Sequence, residues 1–151
     1  LVMDSRKDAR AASAGDILIT SLMKRGGAGV VTDGGFRDAA TIGEPDIPAY
    51  HNRPSSPTNL TLHEAIDIDV PIGCGEVPVF PGDIVVGDDD SVIIIPAEIA
   101  DEVADEAVEM TAYEDFVTER VKQGHTIIGL YPATDEANLA LFADWRAKAG
   151  R

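Results

Sequence analysis

Residues 15–38 read GDILITSLMKRGGAGVVTDGGFRD, and the rest of the chain is arranged around this stretch. Ile17, Leu18, Leu22 and Met23 recur at helical spacing after a Gly15-Asp16 start, and Gly26-Gly27 stops the run. Gly29-Val30-Val31 follows as a short apolar strand that leaves through Asp33-Gly34-Gly35 to Arg37-Asp38. The spacing predicts helix, buried strand and glycine-rich loop in succession. The helix's first turn offers unpaired N–H groups at the positive end of its dipole, which attract an anion. The loop offers a guanidinium fork suited to a carboxylate. The acid beside it can hold a hydrated divalent cation. Together they suit a small, doubly anionic oxo-acid bound with a metal.

Upstream, residues 1–4 are strand-like, and the alanine-rich residues 5–14 read as a loop. Downstream of Asp38, AATIGEPDIPAYHNRPSSPTN is proline-rich and predicts an irregular excursion. Tyr50, His51 and Arg53 on it either line a pocket or are plain exposed polars. Residues 60–70 alternate, with Ile66, Ile68 and Val70 on one face, which predicts a strand; His63 near its start reads as structural. Gly73-Cys74-Gly75 reads as a tight turn with a packing thiol. Strands follow at 77–80, 84–86 and 92–95, the last two joined by the acidic turn GDDDS at 87–91, which lacks EF-hand spacing. A long helix is expected over 96–123. Its stripe of Ile99, Val103, Ala107, Met110, Tyr113, Val117 and Val121 is core or subunit contact, and Gly124 closes it. Residues 126–131 read as a last strand, and Thr134 as the cap of a final helix carrying Leu139, Phe142 and Trp145.

The 151 residues give room for one domain with a moderate core. A net charge of −15 argues against nucleic acid, which needs clustered Lys and Arg. A single cysteine, Cys74, excludes an internal disulfide and fits a reducing cytosol. No apolar run approaches membrane-spanning length. There is no GxGxxG after a strand, no P-loop and no Gly-x-Ser-x-Gly elbow, and the three His residues lack ligand spacing. A hard cation held by oxygen remains.

The pair GD-x-L and V-x-DGG-x-RD, with PVFPGDIVVGDDDSVIIIP downstream, resembles the family of the regulator of ribonuclease activity A and the 4-hydroxy-4-methyl-2-oxoglutarate / 4-carboxy-4-hydroxy-2-oxoadipate aldolases. The resemblance covers most of residues 1–131. Thr41 stands where aldolase members often carry a further acid, and Ser91 replaces a usual Gly. The resemblance implies an α/β domain of the layered swivelling β/β/α type, with mixed sheets and flanking helices. It implies a trimer or a dimer of trimers with sites at subunit boundaries. It also implies that residues 1–151 form one such domain, the C-terminal part of a longer chain with a further N-terminal segment.

The activity implied is a metal-dependent lyase acting on 2-oxo dicarboxylic acids, by retro-aldol cleavage or by oxaloacetate decarboxylation. Mg²⁺ or Mn²⁺ would sit on Asp38. The substrate carboxylate would lie on the first-turn amides, with Gly15, Asp16, Ile17 and Leu18 lining its seat. Arg37 would bond the keto oxygen, and Asp16 would orient the water that takes the 4-hydroxyl proton. Glu114 is the candidate acid reaching in from a neighbouring subunit. The competing class is a non-catalytic regulator that binds an RNA-degrading enzyme, for which an acidic surface suits a basic partner.

Overall fold

The computed structural model describes residues 1–44 and 47–150. It divides into two compact units, residues 1–97 and 98–151. Among the described residues the first holds ten short strands. Six of them, β1 (Val2–Met3), β2 (Ala12–Ala14), β3 (Val30–Thr32), β4 (Gly35–Phe36), β5 (Ala49–Tyr50) and β6 (Arg53–Pro54), build two parallel three-stranded sheets. Their orders are β1-β3-β5 and β2-β4-β6, so the chain alternates between the sheets at every strand. Parallel pairing needs a crossover between partners; here each crossover contains a strand of the other sheet. Helices α1 (Asp16–Lys24) and α2 (Ala39–Ile42) follow β2 and β4. The core takes Val30 from one sheet, Ala14 and Phe36 from the other, Ile19 and Ile42 from the helices, and Ile47.

Two antiparallel hairpins complete the unit: β7 (Ile72–Cys74) with β8 (Val77–Val79), and β9 (Ile84–Gly87) with β10 (Val92–Ile95). In the second, the Asp88 carboxylate accepts the N–H groups of Asp90 and Ser91 at 2.9 Å, which makes the acidic run a hairpin turn as expected. In the first, the turn is Gly75-Glu76, both at positive φ (60° and 76°), as a two-residue hairpin of this hand requires. The turn therefore lies one residue later than the sequence suggests, and Cys74 belongs to the strand.

The second unit contains α3 (Ala100–Lys122) and α4 (Glu136–Ala149). Phe116, Val117 and Leu130 form its core, with Tyr113, Phe142 and Trp145 packed around them. Of the expected α3 stripe only Val117 is buried, with Val103 and Tyr113 half-buried; Met110 is 60% exposed and Ile99, Ala107 and Val121 are exposed too. Asp135, not Thr134, caps α4, its carboxylate accepting Ala137 N–H at 2.9 Å. Among the described residues no helix is long and apolar enough to cross a membrane.

Three segments depart from expectation. Residues 60–70 carry a short 3-10 turn (Asn59–Thr61) and no strand: Ile66 and Ile68 are almost fully exposed, so the alternation finds neither a partner strand nor a core. Residues 126–131 form turns. Residues 12–14, 35–36, 49–50 and 53–54, expected as loop, pair as strands two or three residues long, too short to show a period.

Candidate functional site

The β2-β4-β6 sheet decides which side chains meet. Its strands are parallel, with Ala12 opposite Gly35, Ala14 opposite Phe36, and Phe36 opposite Pro54. Their carboxyl ends therefore emerge side by side, the position at which open parallel sheets bind ligands. Arg37 N–H donates to Ala14 O at 2.9 Å, and Ser55 N–H to Phe36 O at 2.8 Å, carrying the pairing past the strand ends. From β2 the chain enters Gly15-Asp16 and α1; from β4 it enters Arg37-Asp38 and α2; from β6 it runs through Pro57 to Thr58-Asn59. Pro57 O accepts Ala12 N–H at 2.8 Å, fixing that third segment against β2.

A hollow of about 90 Å³ lies where the three meet. Gly15, Ile17 and Leu18 line it from α1, Arg37 from β4, Thr58 and Asn59 from the third segment, and Ala12 and Ala14 from β2. Ile17 and Leu18 are 76% and 56% exposed, so the helix turns them outward and buries Ile19 instead. Of the residues predicted from sequence, Gly15, Ile17, Leu18 and Arg37 are gathered here. Thr58 and Asn59 were missed: nothing in a Ser-Ser-Pro-Thr-Asn loop signals which strand ends it will meet. The one local clue is Thr58, which caps the 3-10 turn by accepting Leu60 N–H at 3.2 Å.

Arg37 Nε donates to Asp38 Oδ2 at 3.1 Å, both side chains being 41% exposed. Asp38 adopts a left-handed backbone (φ 59°, ψ 36°) and stands at the start of α2 without a side-chain capping bond, so its carboxylate stays turned toward Arg37. Gly15 is the space that admits the pair. A Cβ there would lie 3.3 Å from Asp38 Oδ2 and 3.4 Å from Arg37 Nε. Asp16 accepts the N–H of Ile17 at 2.8 Å, so that amide is already satisfied. The next amide, Leu18 N–H, has no intrahelical acceptor so close to the helix start.

Among the described residues no three of His, Cys, Asp and Glu gather into a metal-binding group. Asp38 and the space beside Gly15 fit a different mode, an ion that keeps most of its water and takes one carboxylate, as Mg²⁺ does. They do not fit a closed protein cage.

Asp33 has another task. Buried at 8% exposure, it accepts the N–H groups of Ser5 (2.7 Å), Lys7 (3.0 Å) and Gly75 (3.4 Å). It ties the positive-φ turn at Arg6-Lys7 to the first hairpin and leaves no oxygen turned to the hollow. Tyr50, His51 and Arg53 lie away from the hollow too. Tyr50 packs its ring on Gly87, and His51 tilts onto Phe36 with centroids 5.1 Å apart. Burial pushes the His51 pKa down. Burial likewise raises the Cys74 thiol's pKa, which makes it a poor nucleophile and suits packing. Glu114, in the second unit, accepts the Tyr131 hydroxyl at 3.0 Å.

Alternating parallel sheets, with a helix start and an Arg-Asp pair at their carboxyl ends, define a mixed α/β protein whose site is assembled from successive strand exits. The chain belongs to the RraA-like family (Aldolase/RraA), whose model matches residues 1–94. It is 35% identical over 96 residues to a Halalkalibacterium halodurans protein provisionally named 4-hydroxy-4-methyl-2-oxoglutarate aldolase, covering 64% of this chain and 45% of that one. The crystal structure of Streptomyces coelicolor RraAS2, described as an unusual member of the RNase ES inhibitor RraA family, matches with TM-score 0.67. Identity is 33%, over 80% of this chain and 61% of that one. An uncharacterized protein from Pseudomonas syringae pv. tomato matches with TM-score 0.80 at 22% identity, over 86% and 65% of the two chains, a likeness of fold alone. The chain spans about half the length of the curated relatives it matches.

Proposed function

We propose that the protein is a divalent-metal-dependent lyase for 2-oxo acids, releasing pyruvate by retro-aldol cleavage of 4-hydroxy-2-oxo acids or by decarboxylation of oxaloacetate. The observation that carries this is the convergence of the α1 start, Arg37 and Asp38 around the space left by Gly15. The name of the 35% identical relative supports it.

The carboxylate of the substrate lies at the first turn of α1, toward Leu18 N–H and the positive end of the dipole. Arg37 donates to the 2-oxo oxygen. When the C3–C4 bond breaks, the 4-hydroxyl loses its proton and C4 becomes a carbonyl. The bonding pair moves to C3, forming the enolate whose oxygen Arg37 already contacts, and C3 is then protonated to give pyruvate. A donor placed where negative charge develops is the largest single contribution a site of this kind can make. Asp16, half-buried at the start of α1, orients the water that receives the hydroxyl proton. Asp38 would hold Mg²⁺ or Mn²⁺, which supplies Lewis-acid polarisation of the oxo group. In the working assembly, a homotrimer or hexamer, Glu114 of a neighbouring subunit supplies a further acid.

The test is pyruvate release from oxaloacetate and from 4-hydroxy-4-methyl-2-oxoglutarate with Mg²⁺, with and without EDTA, for the wild type, Arg37→Ala and Asp38→Ala. Chelation and either variant are expected to reduce turnover by at least about 10²-fold, the loss typical of removing one transition-state donor. A folded protein with no metal-dependent turnover on either substrate would favour the second reading, a regulator that acts by binding protein. The description of the Streptomyces relative supports that reading.

A further inference from the structure

The size of the hollow limits how much of a substrate it can enclose. We propose that it holds only the oxo-carboxylate end and leaves the part released on cleavage outside, so that the protein also cleaves 4-hydroxy-2-oxo acids whose tail is uncharged. This rests on the 2-oxo-acid reading and widens its substrate class from dicarboxylates to monocarboxylates.

Volume sets the first limit. A cavity of about 150 Å³ takes one benzene ring. On that scale the hollow of about 90 Å³ takes only about four non-hydrogen atoms. That is roughly a carboxylate and the oxo carbon beside it, the end common to every substrate considered above. Arg37 fixes where this end sits. Its Nε and Nη2 lie 3.4 and 3.5 Å from the point that a Cβ on Gly15 would occupy, so the space above Gly15 is within reach of the guanidinium. Everything from C4 onward has to lie beyond the opening.

The walls then decide what the projecting part meets. Ala12 and Ala14 are buried, whereas Ile17, Leu18 and Thr58 are exposed, so these last three stand at the opening. None of them carries a charge. Arg37 is the one cation among the described residues that line the hollow, and it serves the oxo end. A second carboxylate therefore stays in water, neither held nor refused, because no lining side chain offers an ion pair in exchange for its hydration. An alkyl tail in its place forfeits nothing and covers part of Ile17, which is 76% exposed. The chemistry is the same with either tail. The C3–C4 bond breaks, its electron pair passes to C3 and the enolate, and the 4-hydroxyl gives up its proton. C4 leaves as the carbonyl carbon of a neutral aldehyde or ketone, and C3 takes a proton to give pyruvate.

The experiment measures kcat/KM for pyruvate release by the Mg²⁺-supplied protein from three substrates. They are 4-hydroxy-4-methyl-2-oxoglutarate, 4-hydroxy-4-methyl-2-oxopentanoate, in which a methyl replaces the second carboxylate, and 4-hydroxy-2-oxoheptanoate, which carries a propyl tail. The first two are expected to agree within about tenfold, whereas a site that pairs the second carboxylate with a cation separates them by roughly 10²-fold. In Ile17→Ser, the ratio of kcat/KM for the propyl substrate to that for the dicarboxylate is expected to fall about fivefold. A dicarboxylate preference above tenfold, or an unchanged ratio in Ile17→Ser, overturns the proposal and leaves the lyase reading standing. Pyruvate from oxaloacetate alone does the same. No metal-dependent pyruvate from any of these substrates, oxaloacetate included, overturns both.

Discussion

On the proposed lyase reading, Gly15 separates activity from stability at a single atom. Its backbone (φ −123°, ψ 178°) is open to any residue, so alanine there strains nothing and slightly restricts the unfolded chain. The added methyl would nevertheless press on Asp38 Oδ2 and Arg37 Nε from 3.3 and 3.4 Å. Gly15→Ala is therefore expected to lower kcat/KM for pyruvate release about tenfold while chemical denaturation shows stability within about 1 kcal/mol of wild type. An equal fall in both would mean that Gly15 serves the fold and not the pair. His51 gives a second residue-scale outcome. Burial lowers its folded pKa below the unfolded value of about 6.5, so the unfolded chain binds the proton more readily. Stability is full above about pH 6.5 and falls as pH drops from there toward the folded pKa. His51→Phe, which keeps an aromatic ring against Phe36, should flatten the curve of denaturation free energy against pH across that window and leave it unchanged at pH 8.

Elements were legible in the sequence where they carry their own signal. The α1 start at Gly15-Asp16, the 92–95 strand and the long helix ending at Lys122 all follow from periodicity, turn chemistry and capping. What the sequence hid is pairing. Gly35–Phe36 is a strand only because Ala12–Ala14 and Arg53–Pro54 lie beside it, and no local pattern records that. The converse failure is residues 60–70, where a good alternation goes unpaired. The same limit applies to the hollow: a guanidinium beside a carboxylate at Arg37-Asp38 is read directly from the chain, whereas Thr58-Asn59 meets Arg37 only through sheet order. In the helical unit, long sequence separation is bridged by rings. Phe116, at 2% exposure, meets Tyr113, Phe142 and Trp145 with centroids 5.6–6.0 Å away. Phe116→Ala removes the shared member of that cluster and should cost about 3–5 kcal/mol in denaturant unfolding. Tyr113→Phe loses only the hydroxyl donated to Leu130 O at 2.5 Å and should cost about 1 kcal/mol. A cost for Phe116→Ala no larger than that of Tyr113→Phe would show that the unit is not held by its aromatic core.

Over the whole molecule, charge dominates. Residues 1–97 carry 15 acids against 7 bases, and residues 98–151 carry 12 against 5, so the net −15 is spread through the chain and not confined to a tail. Such an excess keeps a protein dispersed but makes the compact state repel itself. Ion pairs offset little of this: Arg37 with Asp38, Arg10 with Asp8, Lys7 with Glu76 and Arg146 with Glu109 mostly involve exposed partners, where water and salt screen the attraction. Salt has opposite effects on the two contributions. It weakens the few attractive pairs, yet it also shortens the range of the far more numerous repulsions, from about 30 Å at 0.01 M to about 10 Å at 0.1 M. Repulsions outnumber attractions, so the second effect wins. The thermal midpoint should rise by about 4 °C, roughly 1 kcal/mol, as NaCl increases from 0.01 to 0.1 M. A midpoint that falls over that range would mean that specific ion pairs, not net charge, govern the folded state. Repeating the titration with MgCl₂ at matched ionic strength separates general screening from binding. Any rise beyond that in NaCl reports an ion taken up by the native state, and its loss in Asp38→Ala would assign that uptake to the carboxylate beside Arg37.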